Sequence, residues 1–302
     1  MRINRLFLFL FSLLFLQLNS YAQSKTDVVL IGEYHYYYGN NKIKTNLIDS
    51  IIACNRNDSF VIALEFPITL EYLISIGDSV GIQKYFKYNT DNKLHKTTYS
   101  RMNQISLNFI TLILQYAQYY NTSIRCIDTY YTNRSIIFTI HRMMEKYPIF
   151  HDSFYRQISE VLQKPKIELD AVWVIDTLRS RITRNQYQYE KQLDSIDFVF
   201  LNKIVNTPLF TFENVFGTSR DEYMYNQLER VRIEYRNSTI ICFLGNAHVR
   251  KSKSNVYSLL IGDDKYSVFN IGIIPQDVSK KSMSLKFDRI IINKGANIFS
   301  SP

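Results

Sequence analysis

Six short runs of apolar and β-branched residues, bounded by turn residues, dominate the pattern along the chain. They read "DVVLIGE", "FVIALEF", "SIRCID", "TIICFLG", "YSVFNIGII" and "LKFDRIIIN", and each predicts a β-strand. The first four are continuously apolar rather than alternating, which is typical of strands in a parallel sheet that is covered on both faces. The sequence therefore favours a buried, mostly parallel sheet.

Helical spacing of apolar residues fills the intervals between these runs, as in "IKTNLIDSIIAC" after the first and "ISLNFITLILQYAQYY" before the third. Strand alternating with helix predicts an α/β fold with a mostly parallel sheet flanked by helices. Residues 131–236 predict an all-helical insertion before the fourth strand, and Ser219 and Glu222 have capping-box spacing that predicts a helix start near Arg220. We expect residues 23–302 to form a single α/β hydrolase-like domain.

The first residues have the pattern of a secretory signal peptide. Arg2 and Arg5 precede an apolar run at residues 6–18, and small residues follow up to Ala22. The run is shorter than the roughly 20 apolar residues that a spanning helix needs. We therefore expect residues 1–22 to be removed, leaving an exported protein, periplasmic or secreted, without a stable membrane anchor. Retention of the segment as an uncleaved anchor is the alternative.

Charge and cysteine content exclude some classes of protein. The net charge is +9, or +7 once Arg2 and Arg5 leave with the signal peptide. Because the basic residues are scattered among acidic ones, we expect no nucleic-acid partner. The three cysteines, Cys54, Cys126 and Cys242, lie in apolar segments. They predict buried thiols rather than a disulfide framework or a zinc site, although one pair could bridge after export.

Polar side chains end each of the first four predicted strands, where core packing gives no reason for them. They are Glu33 and His35 after the first strand, Glu65 after the second, Asp128 after the third, and Asn246 and His248 after the fourth. The carboxyl ends of parallel strands lie along one edge of a sheet, and ligands bind in the crevice outside that edge. We therefore expect two histidines and three carboxylates to meet at one site.

Each of these residues alone has a simpler explanation. Asp128 can cap the turn after its strand, and His248 can be a hydrogen-bonded structural histidine. Tyr34 and Tyr36 can pack on the insertion, since the chain contains 23 tyrosines. Alternatively, these two rings line the entrance for a bulky, partly apolar small-molecule substrate. The joint placement of the polar residues favours a functional site.

Five motifs together resemble a known superfamily. "IGEYH", "IALEFP", "IRCIDTYY", "SRDEYMYNQL" and "GNAHVR" occur in this order between residues 28 and 250. They resemble the superfamily of the erythromycin esterase-like hydrolases and the ChaN-like and Tiki proteins. The residues Arg220, Asp221, Met224 and Asn226, in the pattern RDxxMxN, and "NAHV" resemble the esterase branch. The G-E-x-H spacing of Glu33 and His35 is more similar to the ChaN and Tiki branch.

The resemblance implies hydrolysis, with a histidine activating water beside paired glutamates. It implies a catalytic set of Glu33, His35, Glu65 and His248, supported by Arg220 and Asp221, and we expect Asp128 and Asn246 to support the site or bind substrate. A neutral imidazole can take a proton from water while a carboxylate orients it. Two adjacent glutamates form a like-charge pair, so one can retain a proton and act as an acid. An arginine at a helix start can neutralise a carboxylate or stabilise an oxyanion.

Four functions remain open at this stage. The first is an exported hydrolase that cleaves an ester, lactone or related bond by His- and Glu-activated water. The second adds a divalent metal held by His35, His248, Glu33 and Glu65, as in Tiki-like metal-dependent peptidases. The third is a ChaN-like haem- or ligand-binding protein without catalysis, and the fourth is an inactive interaction protein. The sequence does not decide whether the protein binds no cofactor, a divalent metal or haem.

Overall fold

The computed structural model describes residues 26–34, 40–54, 59–88, 96–129, 133–163, 171–207, 218–276 and 286–293. Six strands of these residues form one sheet: β1 (Thr26–Glu33), β2 (Phe60–Pro67), β3 (Ser123–Asp128), β4 (Thr239–Gly245), β5 (Tyr266–Pro275) and β6 (Arg289–Asn293). Each lies within or overlaps a predicted apolar run. The last strand begins later than its run, because the Asp288 carboxylate accepts the Asn270 N–H at 2.9 Å and so replaces a strand partner.

Eleven α-helices connect and cover these strands in the described part of the chain. They are α1 (Asn40–Cys54), α2 (Ile68–Ser75), α3 (Ser79–Tyr88), α4 (Lys96–Tyr119), α5 (Asn133–Met144), α6 (Ser153–Gln163), α7 (Ala171–Gln192), α8 (Ser195–Asn206), α9 (Thr218–Glu234), α10 (Asn246–Val249) and α11 (Val256–Ile261). A short 3-10 helix covers Pro148–Phe150. The predicted fold class, an α/β fold with helices between the third and fourth strands, is confirmed.

The strand order β3-β2-β4-β1-β5-β6 brings the first four strands side by side, and every pairing is parallel. The register aligns Glu33, the last residue of β1, with Gly245, the last residue of β4. Next to them, Pro67 of β2 lies opposite Asp128 of β3 after a register shift. The carboxyl ends of the four strands therefore form one continuous edge, where parallel α/β sheets bind ligands.

Two hydrophobic cores cover the two faces of the sheet, because neighbouring residues of a strand point to opposite faces. Ile31 of β1 belongs to the core beneath α1–α8, whereas Leu30 belongs to the core beneath α9–α11. Within the first layer, α5 packs against α2 and α3, and α8 packs against α2. The helices α5–α8 thus extend one layer of the fold.

Helix α9 differs from the other helices between β3 and β4, because it packs directly on β3 and on α11. Its buried residues Arg220, Met224, Leu228 and Val231 recur at helical spacing and make one face of the helix. The helix begins at Thr218, two residues before the predicted start. The first turn of α9 is therefore anchored beside the carboxyl end of β3.

Among the described helices, none is both long and apolar enough to span a membrane. The three cysteines are free thiols. Burial raises the pKa of both Cys126 and Cys242, as expected for core thiols. The prediction that Cys54 is buried is wrong, because this last residue of α1 faces solvent.

Candidate functional site

A buried arginine joins two of the predicted carboxylates. Arg220 is 6% exposed, and its Nε donates to Asp128 Oδ1 at 2.8 Å while its Nη2 donates to Glu65 Oε1 at 2.7 Å. Asp128 is buried, and burial raises its pKa while the hydrogen bonds and charge of Arg220 oppose that shift. The Gly245 N–H donates to the second oxygen of Glu65. The ends of β2, β3 and β4 are therefore tied together around one guanidinium.

His248 joins the same cluster from α10, the short helix that follows β4. Its Nδ1 lies 2.6 Å from Asp221 Oδ1, and its Nε2 lies 3.5 Å from Glu65 Oε1. Burial lowers the pKa of His248, but the hydrogen bonds to Asp221 and Glu65 outweigh it and raise the pKa to about 10. This raised pKa favours the imidazolium at neutral pH, because two carboxylates face the ring, although Arg220 Nη1 also lies 3.5 Å from Nε2. The role of a neutral imidazole, expected from the sequence, stays a prediction.

Glu33 lies at the end of β1 and has its own cation. Lys44 Nζ lies 3.1 Å from each carboxylate oxygen of Glu33, and Asn40 Nδ2 donates to Oε2 at 2.9 Å. Lys44 is buried in α1, with Nζ 3.5 Å from the centre of the Phe109 ring. Burial lowers the pKa of Lys44, and the charge and hydrogen bond of Glu33 oppose that shift.

Glu33 and Glu65 face one cavity of about 120 Å³. Apolar and aromatic side chains make up much of its wall; the lining residues are Glu33, Asn40, Asn41, Lys44, Leu64, Glu65, Phe66, Ile105, Ser106, Phe109, Phe243 and Leu244. Each glutamate contacts a buried cation of its own. Whether one of them retains a proton, as the like-charge pair predicts, stays a prediction.

The structure brings together most, but not all, of the predicted site residues. Glu65, Asp128, Arg220, Asp221 and His248 form one hydrogen-bonded cluster, and Glu33 reaches the same cavity. Tyr34 is half-buried and packs against the core beneath α9–α11. His35 and Tyr36 lie outside the described residues, so their predicted roles stay predictions.

Asn246 has a structural role in addition to its place at the sheet edge. It is buried, and its Nδ2 donates to the Ile273 carbonyl at 3.2 Å, which ties α10 to β5. Gly32 lies so close that a Cβ there would be 2.5 Å from Asn246 Oδ1 and 3.0 Å from the Val249 Cβ. Glycine at this position therefore lets α10 pack tightly against the end of β1.

Lys44 and Asn40 are site residues that the sequence reasoning missed. Both lie on one face of α1, four residues apart, and Lys44 is buried on the same helix as Leu47 and Ile48. A lysine at a buried position of an amphipathic helix needs a carboxylate partner, because an unpaired buried charge is costly. The position of Lys44 on the apolar face of the predicted helix was therefore the signal in the sequence that could have identified it.

Three of the four ligands of the alternative metal site, Glu33, Glu65 and His248, lie among the described residues, and the site itself stays a prediction. Among the described residues, no three His, Cys, Asp or Glu side chains gather so as to hold a metal ion. The Arg220 guanidinium lies between the carboxylates of Asp128 and Glu65 and supplies the positive charge there. Both nitrogens of His248 face hydrogen-bonding partners of the protein. The one remaining predicted ligand, His35, lies outside the described residues.

Comparison with solved structures identifies the fold. A mutant of erythromycin esterase EreC in its open conformation superposes with a TM-score of 0.51 at 14% identity, over 89% of this chain and 76% of that one. This chain has the fold of erythromycin esterase. The predicted resemblance to the erythromycin esterase-like superfamily is thus confirmed at the level of the fold. Within this fold the cluster around Arg220 occupies the carboxyl edge of the sheet.

Other comparisons give lower structural similarity. A protein from Bacillus cereus has a TM-score of 0.48 at 14% identity, over 84% of this chain and 67% of that chain. ChaN of Campylobacter jejuni, solved with cofacial haem, has a TM-score of 0.37 at 16% identity, over 90% of this chain and 89% of that chain. No protein-family model matches the sequence, and no curated protein matches it significantly.

Proposed function

We propose that this protein is a hydrolase that cleaves an ester, a lactone or a related bond with water as the nucleophile. The observation that carries the proposal is the cavity that Glu33 and Glu65 line together, with His248 and Arg220 against Glu65. Two carboxylates line the cavity, and an imidazole and a guanidinium contact one of them from behind. Such groups can supply proton transfer and stabilise negative charge. The fold shared with erythromycin esterase agrees with an ester or lactone substrate.

The charges of the side chains suggest their roles. His248 carries a proton at neutral pH because Asp221 and Glu65 raise its pKa to about 10. We assign it the role of proton source through Glu65, which lines the cavity: the proton of His248 passes by way of the Glu65 carboxylate to the leaving group. Glu33 or His35 takes one proton from the attacking water, whose oxygen bonds to the carbonyl carbon. The bond from that carbon to the leaving oxygen then breaks, and this alkoxide receives the proton of His248.

The cavity suggests what kind of substrate fits. Its volume of about 120 Å³ is below the roughly 300 Å³ of a site that encloses a drug-sized ligand. The reacting group and an apolar substituent fit beside Leu64, Phe109 and Phe243. The rest of a bulky, partly apolar substrate then lies outside this space.

A substrate panel of esters, lactones and peptides, with and without chelator, tests the proposal. We expect turnover of an ester or lactone, and a fall in kcat of about 10²- to 10⁴-fold in Glu65→Gln and His248→Gln, the range for lost acid–base catalysis. His141→Gln is the matched control, because His141 is a half-buried, hydrogen-bonded histidine 2.8 Å from Ser159 Oγ on another helix pair.

Three results would contradict the proposal. Full activity in both Glu65→Gln and His248→Gln would show that these residues do not take part in catalysis. Peptide cleavage that chelator abolishes would favour the metal-dependent peptidase. Absence of turnover on the whole panel, together with a change in visible absorbance on titration with haem, would favour a binding protein without catalysis.

We also propose that the protein is exported, on the pattern of residues 1–22. Fractionation of cells that express the full chain, with mass spectrometry of the first residue of the product, tests this. A product that begins at Gln23 outside the cytoplasm is expected. A full-length product in the cytoplasm or the membrane would contradict it.

A further inference from the structure

Two residues on consecutive turns of α1 converge on the carboxylate of Glu33. Asn40 and Lys44 are four residues apart, so they share a helix face. Asn40 Nδ2 donates to Oε2 at 2.9 Å, and Lys44 Nζ lies 3.1 Å from both oxygens. The side chains of Lys44 and Glu33 are 4% and 17% exposed, so solvent screens this contact little. The carboxylate is therefore held from two directions.

The ammonium group of Lys44 is directed at Glu33 and at an aromatic ring. Nζ donates to Glu33 Oε1 at 3.1 Å and lies 3.1 Å from Oε2, and it is 3.5 Å from the centre of the Phe109 ring. Lys44 also lines the cavity, but its polar contacts in the described part of the chain are with Glu33, so we place its action on that carboxylate.

Asn40 is itself fixed by the last strand of the sheet. Its amide nitrogen donates to the Tyr34 carbonyl as well as to Glu33, both at 2.9 Å. Its Oδ1 accepts from Asn293 Nδ2, at the end of β6, at 2.5 Å. Glu33, Asn40 and Asn293 are all largely buried. A row of hydrogen bonds thus runs from the last strand, β6, through Asn40 to the Glu33 carboxylate at the cavity.

We infer that Lys44 and Asn40 are positioning residues that hold the Glu33 carboxylate in its orientation toward the cavity. The inference rests on the proposed function, in which Glu33 is one of the groups that act on water. Orientation matters because a misplacement of about 1 Å at a reacting group costs on the order of 100-fold in rate. Lys44 sets the direction of the carboxylate, and Asn40 fixes which oxygen faces the helix.

Kinetics of Lys44 variants test this role. In Lys44→Met we expect kcat to fall about 100-fold with little change in KM, since ground-state binding is retained. Lys44→Arg keeps the charge and should recover much of the loss. Lys146→Met is a matched control, because Lys146 also pairs with a buried carboxylate, Asp197, at 3.0 Å and lies over an aromatic ring. It should lose stability and keep kcat.

Crystal structures of the same variants separate this inference from the proposed function. In Lys44→Met the Glu33 carboxylate should leave its place, whether or not a substrate has been found. A Glu33 carboxylate that keeps its orientation in both Lys44→Met and Asn40→Ala would overturn the inference while the hydrolase proposal stands. If Lys44→Met does not fold, Lys44→Gln and Asn40→Ala replace it. If the parent protein cleaves no substrate of the panel, the proposed hydrolase function is refuted, and the inference about the position of Glu33 is still tested by the crystal structures.

Discussion

The two glutamates of the cavity are held in different ways. Among the described residues, Glu33 contacts the buried cation Lys44, whose Nζ also lies over an aromatic ring, and the amide of Asn40. Glu65 contacts Arg220 and His248, which in turn contact Asp128 and Asp221. In the described part of the chain, one carboxylate is thus held by a lysine and an asparagine, and the other belongs to a network of alternating charges.

This difference predicts different responses to change. Arginine stays charged in proteins, and its planar fork contacts two carboxylates at once, whereas a lysine is a single point charge whose pKa falls on burial. The Arg220 network should therefore be the rigid, permanently charged part of the site. Loss of the Lys44 contact should act mainly on the Glu33 carboxylate. Four predictions test this contrast.

Arg220→Met should be the most damaging change, because it leaves the buried Asp128 carboxylate without its cation. Breaking a buried pair from one side costs about 3–5 kcal/mol in the free energy of unfolding. Urea denaturation of the parent and of Arg220→Met measures this loss of unfolding free energy. Arg232→Met is the control on the same helix, since its i,i+3 pair with Glu229 is nearer the surface and is worth at most about 1 kcal/mol. Equal losses in both variants would refute the network.

The pH dependence of stability should reveal the charge on His248. Its folded pKa, about 10, lies above the unfolded value of about 6.5. The stabilisation is therefore complete below about pH 6.5 and is lost as the pH rises toward 10. We expect the difference in unfolding free energy between the parent and His248→Gln to shrink over that range. Parallel curves would show that the imidazole is neutral in the fold.

The coupling between Lys44 and Glu33 can be measured by a double-mutant cycle. Lys44→Met removes the cation from the Glu33 carboxylate, and Glu33→Gln removes the charge that faces Lys44. We expect each single variant to lose about 2 kcal/mol and the double variant to lose less than their sum, with a coupling of about 1–2 kcal/mol for groups in contact. Additive losses would mean that the 3.1 Å contacts carry no coupling.

Much of the fold could be predicted from sequence because it depends on local patterns. Continuous apolar runs give buried parallel strands, and the polar residues at their ends meet because parallel strands share one edge. Glu65, Asp128, Arg220 and His248 meet for this reason, although they are distant in sequence. The late start of β6 at Arg289 was missed because a side chain there replaces the ladder.

The charge of His248 and the residues that contact Glu33 could not be predicted in the same way. The charge of His248 depends on the distances to Asp221 and Glu65, which no spacing in the sequence encodes. Asn40 and Lys44 lie within an ordinary amphipathic helix, and only their direction toward Glu33 makes them part of the site. Packing between elements decides such contacts, so they appear only in three dimensions.

The smallest expected effect concerns Asn293, which reaches the Glu33 side only through Asn40. Asn293→Ala removes the donor to Asn40 Oδ1 and should cost about 1 kcal/mol in unfolding free energy, the usual value for one hydrogen bond. The loss of kcat should be smaller than in Lys44→Met, because Lys44 still holds both oxygens of the carboxylate. Kinetics on the substrate found by the panel measure this. A loss as large as that of Lys44→Met would show that the contact between Asn293 and Asn40, rather than Lys44, orients Glu33.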